Sequence, residues 1–289
     1  MKFTCSQNKF LEVIQTVQKA VPARSSTPIL EGILFETEKG MLKLTGTNLE
    51  FGIESYMEAN IIQEGSVVLP SRLLSEVVRK LPDAEIEITV SDNYAAKLNC
   101  LNSTVTLQGI APDEFPSLPE VDEKDTIEIS KMLLSNMIRE TIFAVALDEA
   151  RPILTGALLE VEGNTVTMVC LDGYRLALRR GMTDTPKQSL NVIIPGKTLN
   201  EVGKILDDED EKISITVSDR HVLFDLGYTR IISRVLEGEF INYKQIIPED
   251  YKTRVKADTK ILSSSIDRAS LIAREGRNNL IKLSLQDQK

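Results

Sequence analysis

The chain has 289 residues, a formal net charge of −9, one His, three Cys and no Trp. At roughly 150 residues per domain this length predicts about two domains, and no apolar stretch approaches the roughly 20 residues that a membrane-spanning helix needs. Isolated Cys residues argue against a disulfide framework or a zinc site, and a single His argues against a Ser-His-Asp relay. With no signal peptide at the N-terminus, we expect a cytoplasmic protein without a membrane partner.

The first part of the chain alternates between strand-like and helical periodicity. Ser6 stands where it would cap the first helix, and Pro70 precedes the second. The predicted elements are, in chain order, a strand at 2–5, a helix at 9–20, strands at 32–38 and 41–45, and a helix at 71–81. The chain therefore opens with a strand-rich unit that contains two helices.

Four segments of this unit return later in the chain, in the same order and 124 to 127 residues further on. The pairs are 28–36 with 152–160, 68–77 with 193–202, 88–92 with 215–219, and 114–115 with 239–240. Similar segments that return in the same order at a nearly constant offset indicate an internal repeat. The second copy predicts a strand at 126–129, a helix at 131–143 capped by Ser130, strands at 156–162 and 165–170, and a helix at 197–206.

A third copy begins near residue 253, with a predicted strand at 253–257, a helix at 260–274 and a strand at 281–285. Pro-rich joints at 111–119 and around Pro248 separate the copies. We therefore predict domains at 1–120, 125–247 and 252–289, the last being the N-terminal part of an incomplete copy. The fold class is α+β.

Positive charge is concentrated in the five predicted helices, which sum to +7 while the rest of the chain sums to −16. If these helices share one surface, that surface attracts a polyanion. The alternative is that Lys and Arg are simply good helix formers. No helix-turn-helix, zinc finger or aromatic stacking platform is present, so any nucleic-acid contact should be to phosphates and independent of base sequence.

Two segments resemble known ligand-binding motifs but lack residues that those motifs require. Residues 192–198 resemble the end of a phosphate-binding loop, but Asn191 stands where the motif needs Gly. The acidic run at 207–211 lacks the alternating ligands of a calcium loop. His221 lies in a predicted hairpin turn, and the Cys residues are interpreted as small buried side chains. We expect no catalytic residue, no metal site and no cofactor.

Several segments together resemble one family, the bacterial DNA sliding clamps, which are the beta subunits of DNA polymerase III. These segments are 1–4, 24–30, 44–50 and 172–177. The resemblance implies repeated DNA-clamp domains, each with two helices packed on antiparallel sheets. In the full-length family two three-domain chains close head to tail into a ring around duplex DNA, with helices lining the hole. The implied role is that of a non-catalytic processivity subunit.

The resemblance also carries roles over by position. The DNA-facing residues would be Arg24, Arg72 and Lys197, while Asp148 puts an acid where some relatives have a polar DNA contact. The DNA polymerase III catalytic subunit, the clamp loader and repair polymerases would bind through short peptides, in a pocket between the second and third domains. The pocket positions are Leu154, Leu171, Gly173, Tyr174, Arg175, Leu176, Ile241 and Ile246.

Ring closure in the family pairs the first domain of one chain with the third domain of the other. The matching positions are Val105 and Leu107 on one side, and Leu271 and Ile272 on the other. Because most of a third copy is missing from the sequence, we expect a chain that folds in its first two domains, does not form a stable closed ring and binds partner peptides weakly.

Two other classes of function stay open at this point. One is an enzyme of unknown type on a repeated α+β scaffold. The other is a protein-interaction module whose basic helices never meet DNA. Retention on nicked circular DNA, lost on linearisation, would separate a clamp from both.

Overall fold

The computed structural model describes residues 1–38, 40–121, 125–148, 150–206, 211–275 and 279–285, and of residues 187 and 188 only the backbone. The chain divides into two units, Met1–Phe240 and Ile241–Lys289.

The first repeat begins with a strand and an amphipathic helix. The helix buries Phe10, Ile14 and Val17, which lie on one face because they are four and three residues apart. The elements of the repeat are β1 (Lys2–Ser6), α1 (Gln7–Gln18), β2 (Gly32–Glu38), β3 (Met41–Thr47), β4 (Phe51–Glu58), β5 (Asn60–Gln63), β6 (Ser66–Pro70), α2 (Ser71–Lys80), β7 (Glu85–Val90), β8 (Ala95–Cys100) and β9 (Ser103–Gln108).

The second repeat has the same plan with two longer strands. Its elements are β10 (Asp125–Ser130), α3 (Lys131–Thr141), β11 (Gly156–Leu171), β12 (Leu176–Pro195), α4 (Gly196–Ile205), β13 (Lys212–Val217), β14 (His221–Asp225) and β15 (Thr229–Arg234). Short 3-10 turns at Pro28–Glu31 and Pro152–Thr155 precede β2 and β11 at equivalent places. A further 3-10 turn, Ile142–Ala144, comes after α3.

An antiparallel sheet of eight strands joins the two repeats. Its order is β10-β13-β14-β15-β4-β3-β2-β6, so the repeats meet where β15 pairs with β4. At this seam Ile231 lies opposite Ile53, and the hydroxyl oxygens of Ser55 and Thr229 are 2.8 Å apart. A second sheet has the order β5-β1-β7-β8-β9, and β11 pairs with β12. The main-chain hydrogen bonds of one sheet therefore hold the repeats together.

Helices α1 to α4 pack on the strands of their own repeats, and a single apolar core runs through both repeats. α1 packs against β3 and β4 and beside α2, and α3 packs beside α4. Along β3, Leu42 and Leu44 are buried in the core while Lys43 lies on the opposite face. The helices of the two repeats also meet, because Lys19 Nζ donates a hydrogen bond to the Lys204 carbonyl oxygen in the last turn of α4, at 3.4 Å.

The Pro-rich joint after the first repeat is anchored to that repeat at two points. Phe115 is buried with Ile29, Leu30 and Val68 in a small separate cluster. Leu118 sits against Gly52 so closely that a Cβ on Gly52 would overlap it. Because Gly52 has no side chain, Leu118 of the joint can pack against β4 at this position.

Helix ends differ from the prediction by one or two residues, for identifiable reasons. Ser130 caps α3 as predicted, accepting a hydrogen bond from the Leu133 amide at 3.2 Å. The matching prediction for Ser6 was wrong: Ser6 occupies the N-cap position of α1, but its side chain makes no capping hydrogen bond. The two strands predicted at 156–162 and 165–170 form one strand, β11, whose pairing shifts near Gly163 at a φ of +57°.

The second unit contains a 3-10 turn, Tyr243–Gln245, and one helix, α5 (Thr259–Ala273), which Asp258 caps by accepting from the Ile261 amide. The strands predicted at 253–257 and 281–285 are not formed. A strand needs a neighbour to accept its hydrogen bonds, and neither segment pairs with another in the part of this unit that the structure describes. Helix α5 needs no such partner, because its hydrogen bonds are internal.

Candidate nucleic-acid and peptide interfaces

The three predicted DNA-facing residues are exposed. Arg24 lies in the loop after α1, and Lys197 lies in the first turn of α4. Arg72 is in the first turn of α2, where its side chain is 90% exposed and its Nε lies 3.2 Å from the Glu76 carboxylate. Arg72 and Lys197 are each the second residue of a helix that begins after a Pro, so the repeat places a cation at the same point twice.

The positive charge of the helices is smaller than the sequence count. Within the observed bounds the five helices carry +5, because Lys19 and Arg274 are cap residues just outside α1 and α5. Lys131 is also buried, and its Nζ lies 2.7 Å from the Glu211 carboxylate. The helices still carry a net positive charge in an acidic chain, but the charge of Lys131 is buried and paired with Glu211.

Asp148 lies on the exposed loop between α3 and the turn at Pro152–Thr155. Its Oδ1 accepts a hydrogen bond from the Ala150 amide at 2.9 Å. A local structural role therefore accounts for this acid.

Five of the predicted pocket positions lie at the turn between β11 and β12: Gly173, Tyr174 and Arg175 within it, and Leu171 and Leu176 at the strand ends. Leu171 is buried, Leu176 is half-buried, and Tyr174 between them is fully exposed. Gly173 has a φ of +94°, and a Cβ there would meet Arg151 only at 3.6 Å, so backbone conformation rather than space favours glycine. The turn therefore projects an aromatic ring into solvent.

Arg175 in the same turn is held from two sides. Its Nε donates to Asp172 Oδ2 at 2.9 Å, and its guanidinium carbon lies 5.7 Å from the centre of the Phe143 ring. Leu154 is buried within the turn at Pro152–Thr155, and its carbonyl accepts from the Ala146 amide at 2.8 Å. The first unit thus contains six of the eight predicted pocket positions, of which Leu154 and Leu171 are core residues.

The other predicted positions lie partly in the second unit, where Ile241, Ile246, Leu271 and Ile272 are all exposed. In the first unit, Val105 is half-buried and Leu107 is buried on β9. β9 is the last strand of its sheet, and among the described strands its ladder pairing is with β8 alone. One side of β9 is therefore a sheet edge.

The residues excluded from chemistry behave as buried or structural groups. Burial raises the pKa of the Cys5 thiol to about 12 and that of Cys170 to about 11. His221 begins β14 directly after a turn, and burial, then Arg234 and Arg220, lower its pKa. In the described residues no three His, Cys, Asp or Glu side chains group as metal ligands; 207–210 of the acidic run lie outside them.

Models of the DNA polymerase III beta subunit match three consecutive parts of the chain. The N-terminal domain matches residues 1–119, the central domain 128–242 and the C-terminal domain 244–289. The chain belongs to this family.

Relatives in the beta subunit family resemble the chain along almost its whole length. The beta sliding clamp of Bacillus subtilis is 41% identical over 293 residues, covering 98% of this chain and 78% of that protein. The beta sliding clamp of Halalkalibacterium halodurans is 37% identical, with coverages of 98% and 77%.

Solved structures of clamps superpose closely. The Bacillus subtilis sliding clamp matches with a TM-score of 0.92 at 41% identity, covering 96% of this chain and 76% of that one. A Pseudomonas aeruginosa clamp bound to griselimycin gives 0.90 at 28%, with coverages of 94% and 74%. The predicted α+β clamp fold and the non-catalytic processivity role are confirmed, and the enzyme alternative is wrong. No helix in the described residues is long and apolar enough to cross a membrane.

Phe143, Asp172 and Lys19 were not predicted as functional, although each holds part of a candidate surface. For Asp172 a local signal existed, since Asp before Gly is typical of a tight turn with a side-chain hydrogen bond. For Phe143 and Lys19 no local signal existed, because their partners lie 32 and 185 residues away.

Proposed function

We propose that this protein acts in the cytoplasm as a replicative sliding clamp that encircles duplex DNA and tethers DNA polymerase III to its template, and the test below decides between this encirclement and the unstable ring expected from the sequence. The observation that carries the proposal is the match of all three beta subunit domains, in order, along one chain. A tethered polymerase is kept at a high effective concentration near the primer end. Processivity then comes from the encirclement of DNA and does not require high affinity for it.

The proposed DNA contacts are Arg24, Arg72 and Lys197. All three are exposed, with Arg24 in the loop that follows α1, and Arg72 and Lys197 occupy equivalent helix starts in the two repeats. The N-terminal end of a helix adds a favourable field for phosphate. Contacts of this kind read no bases, which suits a protein that must slide along any sequence.

The proposed partner site includes Leu154, Leu171, Gly173, Tyr174, Arg175 and Leu176 in the first unit, and Ile241 and Ile246 in the second. Its ligands would be short peptides of the DNA polymerase III catalytic subunit, the clamp loader and repair polymerases. The exposed Tyr174 ring supports this assignment, since a rigid, exposed aromatic side chain is a common anchor in peptide interfaces. A related clamp of Pseudomonas aeruginosa is bound to griselimycin.

The proposed domains are 1–120, 125–247 and 252–289, and the proposed ring interface combines Val105 and Leu107 with Leu271 and Ile272 of a second chain. The free edge of β9 supports the first half of this interface, because an edge strand offers unpaired amide and carbonyl groups to a neighbour. Exposed apolar residues on α5 support the second half.

The clamp proposal is tested by topology. The protein is loaded with a clamp loader onto a plasmid that carries one nick, and protein-bound DNA is isolated by gel filtration. We expect co-elution with the nicked circle and loss within minutes after a restriction enzyme linearises it. Equal retention on circular and linear DNA would indicate ordinary binding and refute encirclement. A protein that never co-elutes with either form, while a relative from the same assay does, would refute the clamp function for this chain.

A further inference from the structure

The turn that presents Tyr174 and Arg175 has a counterpart in the first repeat. Residues 172–175 of the second repeat correspond to residues 48–51, at the same offset of 124 that relates 152–160 to 28–36. Both turns place their second residue in the left-handed region, with φ of +76° at Leu49 and +94° at Gly173. The two turns are therefore the same structure built twice.

One side-chain oxygen closes each turn in the same way. Asn48 Oδ1 accepts from the amides of Glu50 at 3.0 Å and Phe51 at 2.8 Å. Asp172 Oδ1 accepts from the amides of Tyr174 at 2.9 Å and Arg175 at 3.1 Å. A neutral amide serves this purpose in the first repeat, so closing the turn does not require a carboxylate.

The repeats differ in the last residue of the turn. Phe51 is buried in the core of the first repeat, whereas its counterpart Arg175 keeps 53% of its side chain exposed. The carboxylate of Asp172 supplies a second oxygen, Oδ2, which accepts from Arg175 Nε at 2.9 Å. The carboxylate, Asp172, therefore occurs in the repeat whose turn contains a cation, Arg175.

Phe143 holds the guanidinium from another side. Its ring lies 5.7 Å from the guanidinium carbon and is itself 57% exposed. A guanidinium stacks on an aromatic face and donates from its edge at the same time. With its Nε on Asp172 and its guanidinium carbon over the Phe143 ring, the long side chain of Arg175 is restrained before any ligand arrives.

We propose that Asp172 and Phe143 are positioning residues that fix the guanidinium of Arg175 for an incoming partner peptide, and that the charge of Asp172 is the feature the second repeat adds for this purpose. The inference rests on the proposed partner site. A pre-ordered side chain costs a ligand less to immobilise, so the benefit appears in affinity. The Tyr174 amide, and then Arg175, hold the pKa of the Asp172 carboxyl below its ordinary value, so the pair is charged at neutral pH.

The test compares Asp172→Asn with Asn48→Asp, which make the same exchange in opposite directions at equivalent turns. The probe is a fluorescein-labelled peptide with the clamp-binding segment of the same bacterium's DNA polymerase III catalytic subunit, titrated with the full chain. We expect Asp172→Asn to weaken binding about three-fold, as for a partly exposed ion pair. Phe143→Leu should weaken it about two-fold, and Asn48→Asp should have no effect.

Two further measurements separate positioning from folding. In an Arg175→Ala background, Asp172→Asn should change affinity by less than about 1.5-fold, because its effect passes through the missing guanidinium. Hydrogen exchange at the Tyr174 and Arg175 amides should be unchanged in Asp172→Asn, which keeps the turn, and faster in Asp172→Ala, which loses it. A purely structural role would weaken binding with or without Arg175.

The outcomes distinguish this inference from the proposed site. Peptide binding by the wild type that Asp172→Asn leaves unchanged, or weakens equally without Arg175, would overturn the positioning role alone. No binding of the peptide by the wild type would overturn the partner site and this inference with it.

Discussion

Charge reversal at Lys197 tests the DNA-facing surface most directly. Each lysine–phosphate contact contributes about −0.9 to the slope of log K against log salt. Lys197→Glu should therefore make the slope shallower by about 0.9, so that over a fourfold rise in salt the affinity falls about 3.5-fold less than for the wild type. If Arg24, Arg72 and Lys197 each make one contact, the triple reversal should remove about 2.7 from the slope, or about 40-fold over the same range. Arg72→Glu also replaces an i,i+4 pair with Glu76 by a repulsion, which costs α2 less than about 1 kcal/mol.

The matched control is Lys97→Glu, which makes the same charge change on a strand. Lys97 is exposed on β8 between Ala96 and Leu98, both of which face the core, so its side chain lies on the sheet face away from the helices. Binding of a labelled duplex is followed by fluorescence anisotropy at several salt concentrations. We expect the control to leave the slope unchanged. Equal slopes for Lys97→Glu and Lys197→Glu, both shallower than the wild type, would show that net charge governs binding and refute a DNA-facing helix surface.

Three further predictions concern the fold. Leu118→Ala should destabilise the protein by about 1–2 kcal/mol, since the side chain is partly buried, and Gly52→Ala should do so by displacing Leu118; urea unfolding measures both. With thiol pKa values of about 12 for Cys5 and about 11 for Cys170 and all three Cys buried, Ellman's reagent at pH 8 should find no native thiol and three in guanidinium chloride. An NMR titration should give His221 a pKa below its ordinary value. Because the folded state disfavours the charged imidazole, the free energy of unfolding should fall as the pH drops below that ordinary value. His221→Gln should remove this part of the pH dependence.

The sequence predicted well what local periodicity determines. Helices α1 to α5 were each expected within two residues of their observed ends, because an amphipathic face and a breaker after it are local signals. The seam between β15 and β4 was not predicted. Those strands pair residues such as Thr229 and Ser55, which are far apart in the chain, and periodicity states that a strand exists without stating its neighbour. At 253–257 and 281–285 periodicity predicted strands, but neither segment has a neighbouring strand to pair with in the described part of its unit.

In the candidate site, too, local features were predictable from the sequence and tertiary contacts were not. Exposure of Arg72 and Lys197 is expected from their polar positions on amphipathic helices, whereas burial of Leu154 and Leu171 agrees with an ordinary core interpretation of those residues. Which side chains hold Arg175 depends on tertiary structure, since Phe143 reaches it from the 3-10 turn after α3. A comparison of the two repeats would have found one signal, because Asn48 and Phe51 of the first become Asp172 and Arg175 in the second.

That comparison suggests how a duplicated domain acquires a site without losing its fold. Leu49 and Gly173 keep the same left-handed conformation, and one oxygen from Asn48 or Asp172 closes each turn, so the turn tolerates exchange of the remaining positions. Phe51 contributes to its own core, and replacing it there by Arg would bury an uncompensated charge at a cost of several kcal/mol. In the second repeat the same position is exposed, so a guanidinium costs little and a neighbouring carboxylate restrains it. The residues that differ between superposable turns are therefore the ones to examine first for function in this protein.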